Sequence, residues 1–180
     1  QYWEIGNENF GNWEAGYRIN TANNQDGQPE FQTGQLYGQH FKVYADSMRK
    51  AAQEIGNTIF IGAVMSEWAP EVWWTSTAKN WNSGLNSAAG NYPDYYIAHN
   101  YYTPFQTNAS ADLILNTPIP VTQTMMDYVK QTISGAGLIQ KPVILGEWNI
   151  TSSGSKQQVS HINGLHAVMV LGESLKNKFG

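Results

Sequence analysis

Pro142-Val143-Ile144-Leu145-Gly146-Glu147-Trp148-Asn149 is a short apolar run that stops on a carboxylate and opens into polar sequence. Tyr2-Trp3-Glu4-Ile5-Gly6-Asn7-Glu8-Asn9, near the start of the chain, does the same. Between them, residues 58–64 and 95–99 read as two further short strands that are apolar on both faces. Such strands belong to a parallel sheet covered by helices, because a strand with one solvated face alternates instead.

The intervening sequence supplies the helices. Phe41, Tyr44, Ala45, Met48, Ala52 and Ile55 recur at helical spacing and are followed by Gly56, a good stop. Residues 121–134 place Met125, Met126, Val129 and Ile133 on one side and end at Gly135. A last helix is expected from Ser155, where Ser155 and Gln158 suit a capping box, with Ile162, Leu165, Val168, Met169, Leu171 and Leu175 as its apolar side. Residues 9–33 form a polar stretch, and residues 65–93 a Trp-rich loop with a helical turn near 82–88. The order is α/β, with four strands and about three long helices. A closed (β/α)8 TIM barrel takes about 250 residues. This chain has 180 and begins directly on a strand. It is therefore expected to be part of a single barrel domain spanning residues 1–180, with the remaining strands outside it.

Composition narrows the chemistry. Net charge is −4 with 13% charged residues, so there is no basic surface to neutralise phosphates, and nucleic acid is excluded as a partner. No apolar run reaches the length of a membrane span. With no cysteine, disulfides, thiolate metal sites and cysteine nucleophiles are excluded. The compartment stays open, with a secreted or periplasmic setting favoured over a cytoplasmic one. Seven Trp, ten Tyr and six Phe, beside many Asn, Gln, Ser and Gly, suit a carbohydrate, which offers apolar C–H faces and many hydroxyls. The competing explanation of each ring is a large aromatic core.

Parallel barrels build their active sites at the C-terminal strand ends. Glu8 and Glu147 both stand there. Two carboxylates are what glycosidic bond cleavage requires: one acid to protonate the leaving oxygen, one carboxylate to attack the anomeric carbon or activate water. Retention asks for carboxyl groups about 5–5.5 Å apart. An acid role for Glu8 asks for surroundings that raise its pKa. A nucleophilic Glu147 is expected to accept a hydrogen bond from Tyr101 or Tyr102. The plain alternative for each glutamate is a surface loop carboxylate. Glu67 and Glu71 also follow a strand and are the competing candidates.

Trp3-Glu4-Ile5-Gly6-Asn7-Glu8 resembles the fourth-strand motif of the clan A glycoside hydrolases, in which an Asn-Glu pair ends the strand and the Glu is the general acid/base. Gly146-Glu147-Trp148-Asn149 resembles the seventh-strand motif, whose Glu is the nucleophile. His99-Asn100-Tyr101-Tyr102 resembles the sixth. Within the clan, Trp-Glu-Ile-Gly-Asn-Glu-Asn followed by Gly-Asn-Trp and later Glu-Trp-Asn is most similar to α-L-arabinofuranosidases. The resemblance implies a retaining TIM-barrel enzyme represented here by about strands four to seven, with strands one to three and eight absent. It implies that Asn7 bends into the site to meet a sugar 2-hydroxyl, although a regular strand would send Asn7 and Glu8 to opposite faces. Xylan- or agar-active hydrolases of the same clan share the seventh-strand context.

His99, Tyr101, Tyr102, Trp148 and Trp68 are the further candidates for sugar contact, with Trp73 and Trp74 as possible platforms. His99 reads equally as a satisfied core histidine. His40, His99, His161 and His166 show no zinc spacing with a carboxylate, so neither a catalytic metal nor a cofactor is expected. A non-catalytic carbohydrate-binding module would share the aromatic excess but is normally an all-β sandwich. Half a barrel leaves two open sheet edges, so the chain is expected to associate with the rest of its own barrel or with itself.

Overall fold

Val, Ile, Ala and Tyr crowd the four predicted strands, and residues of this kind pack well on a pleated surface. The computed structural model describes residues 1–24 and 27–180; Gln25 and Asp26, inside the polar stretch, lie outside the described residues. The strands are β1 (Tyr2–Ile5), β2 (Phe60–Val64), β3 (Tyr95–Tyr101) and β4 (Val143–Asn149). They lie side by side in chain order, and every neighbouring pair is parallel. The α/β expectation therefore holds, and the sheet curls into half of a barrel wall with β1 and β4 as its edges.

Among the described residues six α-helices connect or follow the strands: α1 (Gly34–Glu54), α2 (Ser76–Lys79), α3 (Trp81–Ala89), α4 (Ala111–Asn116), α5 (Pro118–Gly135) and α6 (His161–Asn177). α1 starts one turn and more before the expected Phe41, because the Thr33 hydroxyl caps it by accepting from Leu36 N at 3.1 Å. It stops at Gly56, whose φ of +70° suits a residue without Cβ. Pro118 opens α5 at its first turn, where the missing N–H costs nothing. α4 was not legible as periodicity in its six residues; Ser110 caps it.

Two expectations for the last helix fail. Ser155 caps only a short 3-10 turn, residues 156–159, and Gln158 donates to Thr151 O instead of closing a capping box. The helix proper begins at His161, with Ser160 accepting from Ile162 N. Its buried residues are His166 and Val170, while Leu165, Val168, Leu171 and Leu175 are exposed. Tyr44 and Ile55 of α1 are likewise exposed. The apolar stripe of α6 thus faces away from this half of the sheet. No helix among the described residues is long and apolar enough to cross a membrane.

The core lies between the sheet's outer face and the helices. Phe41, Ile61, Trp81, Leu85, Met125, Met126 and Ile133 are fully buried there. α1 and α3 approach closely through glycines: a Cβ on Gly34 would lie 2.0 Å from the Trp81 carbonyl oxygen. Trp81 is satisfied by donating to Val64 O at 3.0 Å. The Tyr37 hydroxyl ties the ends of two strands together, donating to Ile5 O at 2.6 Å and accepting from Val64 N at 2.9 Å. That bond fixes the rim from which the loop carrying Glu8 departs.

His166 is fully buried edge-on against Tyr102, and no hydrogen-bond partner meets either ring nitrogen. Burial lowers its pKa from 6.5 to about 4. The unfolded chain takes up a proton below about pH 6.5 while the folded one does not, so stability falls as pH drops from 6.5 towards 4. At about 1.4 kcal/mol per unit, the loss approaches ~3 kcal/mol. In denaturant melts of the full-length protein near pH 7 and near pH 4.5, His166→Leu is expected to remove most of this acid-dependent loss. Parallel stability curves for the two proteins would contradict the assignment.

Candidate functional site

Two local departures from regular strand geometry build the site. The first is the turn after β1. The apolar run read as stopping on Glu8 ends earlier as a strand: β1 stops at Ile5, Gly6 takes φ +88°, and Glu8 itself takes φ +39°. The φ of Gly6 is one that side chains with a Cβ rarely adopt, so the turn favours glycine there. A glutamate at positive φ is uncommon and strained. The turn brings the half-buried Glu8 carboxyl to β3, where its Oε1 lies 3.1 Å from His99 Nδ1.

The second departure is a bulge between β3 and β4. Ala98 pairs with Leu145, but His99 pairs with Glu147, so β4 takes two residues where β3 takes one. In an unbroken strand Glu147 would share a face with Leu145, which packs into the core. The extra residue, Gly146, turns Glu147 onto the inner face with His99 and Tyr101. A Cβ on Gly146 would lie 3.0 Å from Ile97 Cγ2 and 3.2 Å from His99 Nε2, which leaves little room for any larger residue. Tyr101 donates to Glu147 Oε2 at 3.0 Å, and His99 Nδ1 is 3.9 Å from the same oxygen.

One oxygen each of Glu8 and Glu147 and a ring nitrogen of His99 consequently lie within 4.8 Å of one another. These are donor types that a divalent ion accepts. Each carboxylate also accepts a hydrogen bond, and the same three groups can exchange protons with one another. Trp13 is the donor to Glu8, with its indole N–H 2.7 Å from Oε2. The Trp13 ring lies where a Cβ on Gly11 would be, 2.3 Å from Cε2, so glycine at 11 lets the indole fold back.

The charges around the cluster are uneven. Glu8 was expected to have a raised pKa, and the structure corrects this. The hydrogen bond from His99 holds it below the usual carboxylate range, helped by the Trp13 donor and the His99 charge, against the opposing effect of burial. For His99 burial alone would lower the pKa, but the Glu8 bond and the charges of Glu147, Glu8 and Glu4 together raise it. Glu4 is raised by burial and by the charges of Glu147 and Glu8, with His99 opposing. Glu67 is pushed up to about 8, chiefly by burial.

The other candidates divide. Asn7 is exposed and donates to Glu14 Oε1 at 3.0 Å, so it is turned along its loop and not towards Glu147. Tyr102 is not brought to the cluster: it is buried in the core, its hydroxyl paired with Thr122 Oγ1 at 2.8 Å. Trp148 pairs with Asn100 in the ladder and packs against the core. Trp68 packs there too and donates to Asn100 Oδ1 at 2.9 Å. Trp73 is exposed and donates to Glu71 Oε2 at 2.9 Å, edge-on to Trp74. Two residues near the cluster were missed by sequence reasoning. Trp13 carried no signal beyond its place in Gly-Asn-Trp. Glu4 did carry one: it is a charge inside an apolar strand, one residue from its end.

No protein-family model and no curated protein matches the chain. Solved structures do. The arabinose complex of an α-L-arabinofuranosidase from Thermotoga maritima is similar over 98% of this chain and 32% of its own, at 21% identity and a TM-score of 0.60. A second arabinofuranosidase crystal structure gives 98% and 32%, 20% identity and 0.58. The thermostable GH51 α-L-arabinofuranosidase from Thermotoga petrophila RKU-1 gives 98% and 32%, 23% identity and 0.51. This chain spans about a third of the length of the structures it matches. At these identities the likeness carries the fold, and the fold is a partial (β/α)8 barrel.

Proposed function

We propose that this chain carries the catalytic carboxylates of a retaining glycoside hydrolase that acts on α-L-arabinofuranosides of plant or algal glycans. The carrying observation is that one carboxyl oxygen each of Glu8 and Glu147, 139 residues apart in sequence, come within 4.8 Å of each other beside His99 at one rim of the sheet. Inverting enzymes hold their carboxyl groups about 6.5–9.5 Å apart to admit water, whereas retaining ones hold them at about 5–5.5 Å. The similar folds are those of arabinofuranosidases, which supports this choice of sugar.

The chemistry runs in two displacements. A Glu147 oxygen attacks the anomeric carbon as the bond to the leaving oxygen breaks, and the leaving oxygen takes a proton from Glu8. Water then attacks the same carbon, Glu8 takes the water's proton, and the bond to Glu147 breaks. Tyr101 holds Glu147 by one oxygen. Because Glu8 is held ionised by Trp13 and His99, the proton it delivers is one shared along the 3.1 Å contact with His99.

In the full-length protein Glu147→Ala is expected to abolish turnover. Glu8→Ala is expected to cost about 10²–10⁴-fold on substrates with poor leaving groups and far less on activated aryl arabinofuranosides, with azide restoring rate on the latter. Equal losses on both classes would remove Glu8 from the acid/base role. Faster hydrolysis of a β-xyloside than of an α-L-arabinofuranoside would move the substrate elsewhere in the clan.

Trp13→Phe deletes one hydrogen bond to the Glu8 carboxylate and should raise the Glu8 pKa. Since the acid must be protonated, the basic limb of kcat/KM is expected to move to higher pH. A limb that stays in place or moves down would contradict this role for the indole.

We also propose that the open edges at β1 and β4 and the apolar face of α6 close against the remaining strands of the barrel. Expressed alone, residues 1–180 are then expected to self-associate in light scattering. A monodisperse monomer of 20.1 kDa that melts cooperatively would contradict this closure.

A further inference from the structure

Glu4 has no place in the two-carboxylate mechanism, yet it lies in the middle of β1, in Tyr2-Trp3-Glu4-Ile5. Its Oε1 lies 4.0 Å from His99 Nε2, across the ring from the contact with Glu8. The His99 side chain is only 4% exposed, and that of Glu4 is 33% exposed. Gly146 packs beside the same ring edge, since a Cβ there would be 3.2 Å from Nε2, and Ile97 lies against Gly146. The imidazole therefore lies between two carboxylates, Glu8 within hydrogen-bond distance of Nδ1 and Glu4 4.0 Å from Nε2.

We propose, resting on the assignment of Glu8 as acid/base, that Glu4 is a positioning residue: by facing His99 Nε2 it keeps a proton on that nitrogen, so that the hydrogen bond between Nδ1 and Glu8 holds the proton delivered to the leaving group. The argument is one of donors and acceptors. An ionised carboxylate accepts only, so Glu4 favours N–H at Nε2. With Nε2 protonated, a second proton lies along the Nδ1–Oε1 contact. Placed on nitrogen it makes imidazolium and carboxylate; placed on oxygen it makes neutral imidazole and a carboxylic acid. Transfer of that proton from Oε1 to the glycosidic oxygen leaves a neutral ring with its proton on Nε2 and an ionised Glu8, the state that then acts as base. Without the charge of Glu4, a neutral His99 favours the tautomer with its proton on Nδ1. The ring then donates to an ionised Glu8, and no proton is left to deliver.

Other titratable groups also face His99. Glu8 follows β1, Glu147 lies on β4, Tyr101 is two residues on along β3, and Glu67 follows β2. Glu8 and Glu147 are already assigned to the reaction, Tyr101 to holding Glu147. Glu67 acts on His99 only through space and, with its pKa near 8, is largely neutral at neutral pH. Glu4 is the carboxylate aimed at the second ring nitrogen.

The test uses the full-length protein with Glu4→Gln and the conservative Glu4→Asp. Two readouts are taken: the pH profile of kcat/KM on an aryl α-L-arabinofuranoside with a poor leaving group, and ¹⁵N NMR of His99 in histidine-labelled protein. For Glu4→Gln the basic limb is expected to move down by about one pH unit, as loss of a charge about 4 Å away implies. The His99 resonance should lose its Nε2-protonated signature over the same range. kcat should fall more than KM changes, and Glu4→Asp should restore part of the shift. An unmoved basic limb together with an unchanged His99 titration overturns the proposal. Should Glu4→Gln fail to fold, the wild-type spectrum decides, because a neutral His99 protonated on Nδ1 at the optimum also overturns it. The parent reading fails separately: if Glu8 is not the acid, Glu8→Ala shows no leaving-group dependence, whatever His99 does.

Discussion

One extra residue in β4 decides which side of the sheet Glu147 occupies. Ala98 faces Leu145 across the ladder and His99 faces Glu147, with Gly146 taken up between them. A strand has a period of two, so a shift by one residue exchanges its faces. Had the ladder continued unbroken, Glu147 would point with Leu145 towards the helices, and Gly146 would stand opposite His99. The bulge is possible because Gly146 has no Cβ to drive into His99 and Ile97. Bulges at sheet rims and beside active sites commonly re-aim a side chain in this way.

The site assembled at that bulge is dominated by negative charge. Glu4, Glu8 and Glu147 surround one imidazole, and Glu67 stands within electrostatic reach. Carboxylates gathered in this way favour a compensating cation among them. His99 takes that part, which is why its affinity for a proton rises although burial opposes it. Glu8 gains two hydrogen bonds and pays with a positive φ. Local strain of this kind persists where surrounding contacts over-determine the geometry, and it gathers at functional sites. The Tyr37 hydroxyl, joining the ends of β1 and β2, is among the contacts that hold the strained turn in place.

Much of this was legible in the chain. The apolar strands announced themselves, because strands buried on both faces read as continuous runs. The stops on Glu8 and Glu147 marked the rim, and Tyr101 was foreseen as the donor to Glu147. What escaped was whatever depends on the third dimension at one-residue resolution. Tyr102 was a candidate beside Tyr101, but neighbouring strand residues face opposite sides, and Tyr102 faces the helices. The bulge leaves no signature beyond a glycine before a glutamate. The expected rise in the Glu8 pKa was inferred from its role and not from its neighbours, and those neighbours include an indole donor from a loop whose path no periodicity predicts. The stripe on α6 was read as apolar, but what it packs against could not be, since half a barrel covers only half of its helices' surfaces.

The account stands on Glu147 as the nucleophile and Glu8 as the acid/base on opposite sides of one anomeric carbon. The direct measurement is mass spectrometry of the full-length Glu8→Ala protein after brief reaction with a dinitrophenyl α-L-arabinofuranoside. Formation of the glycosyl-enzyme should be fast with that leaving group, and its breakdown slow without the base. Peptide mapping is predicted to find one added pentosyl unit, on Glu147. A pentosyl adduct on Glu67 or Glu4, or release of inverted sugar with no adduct at all, would contradict it.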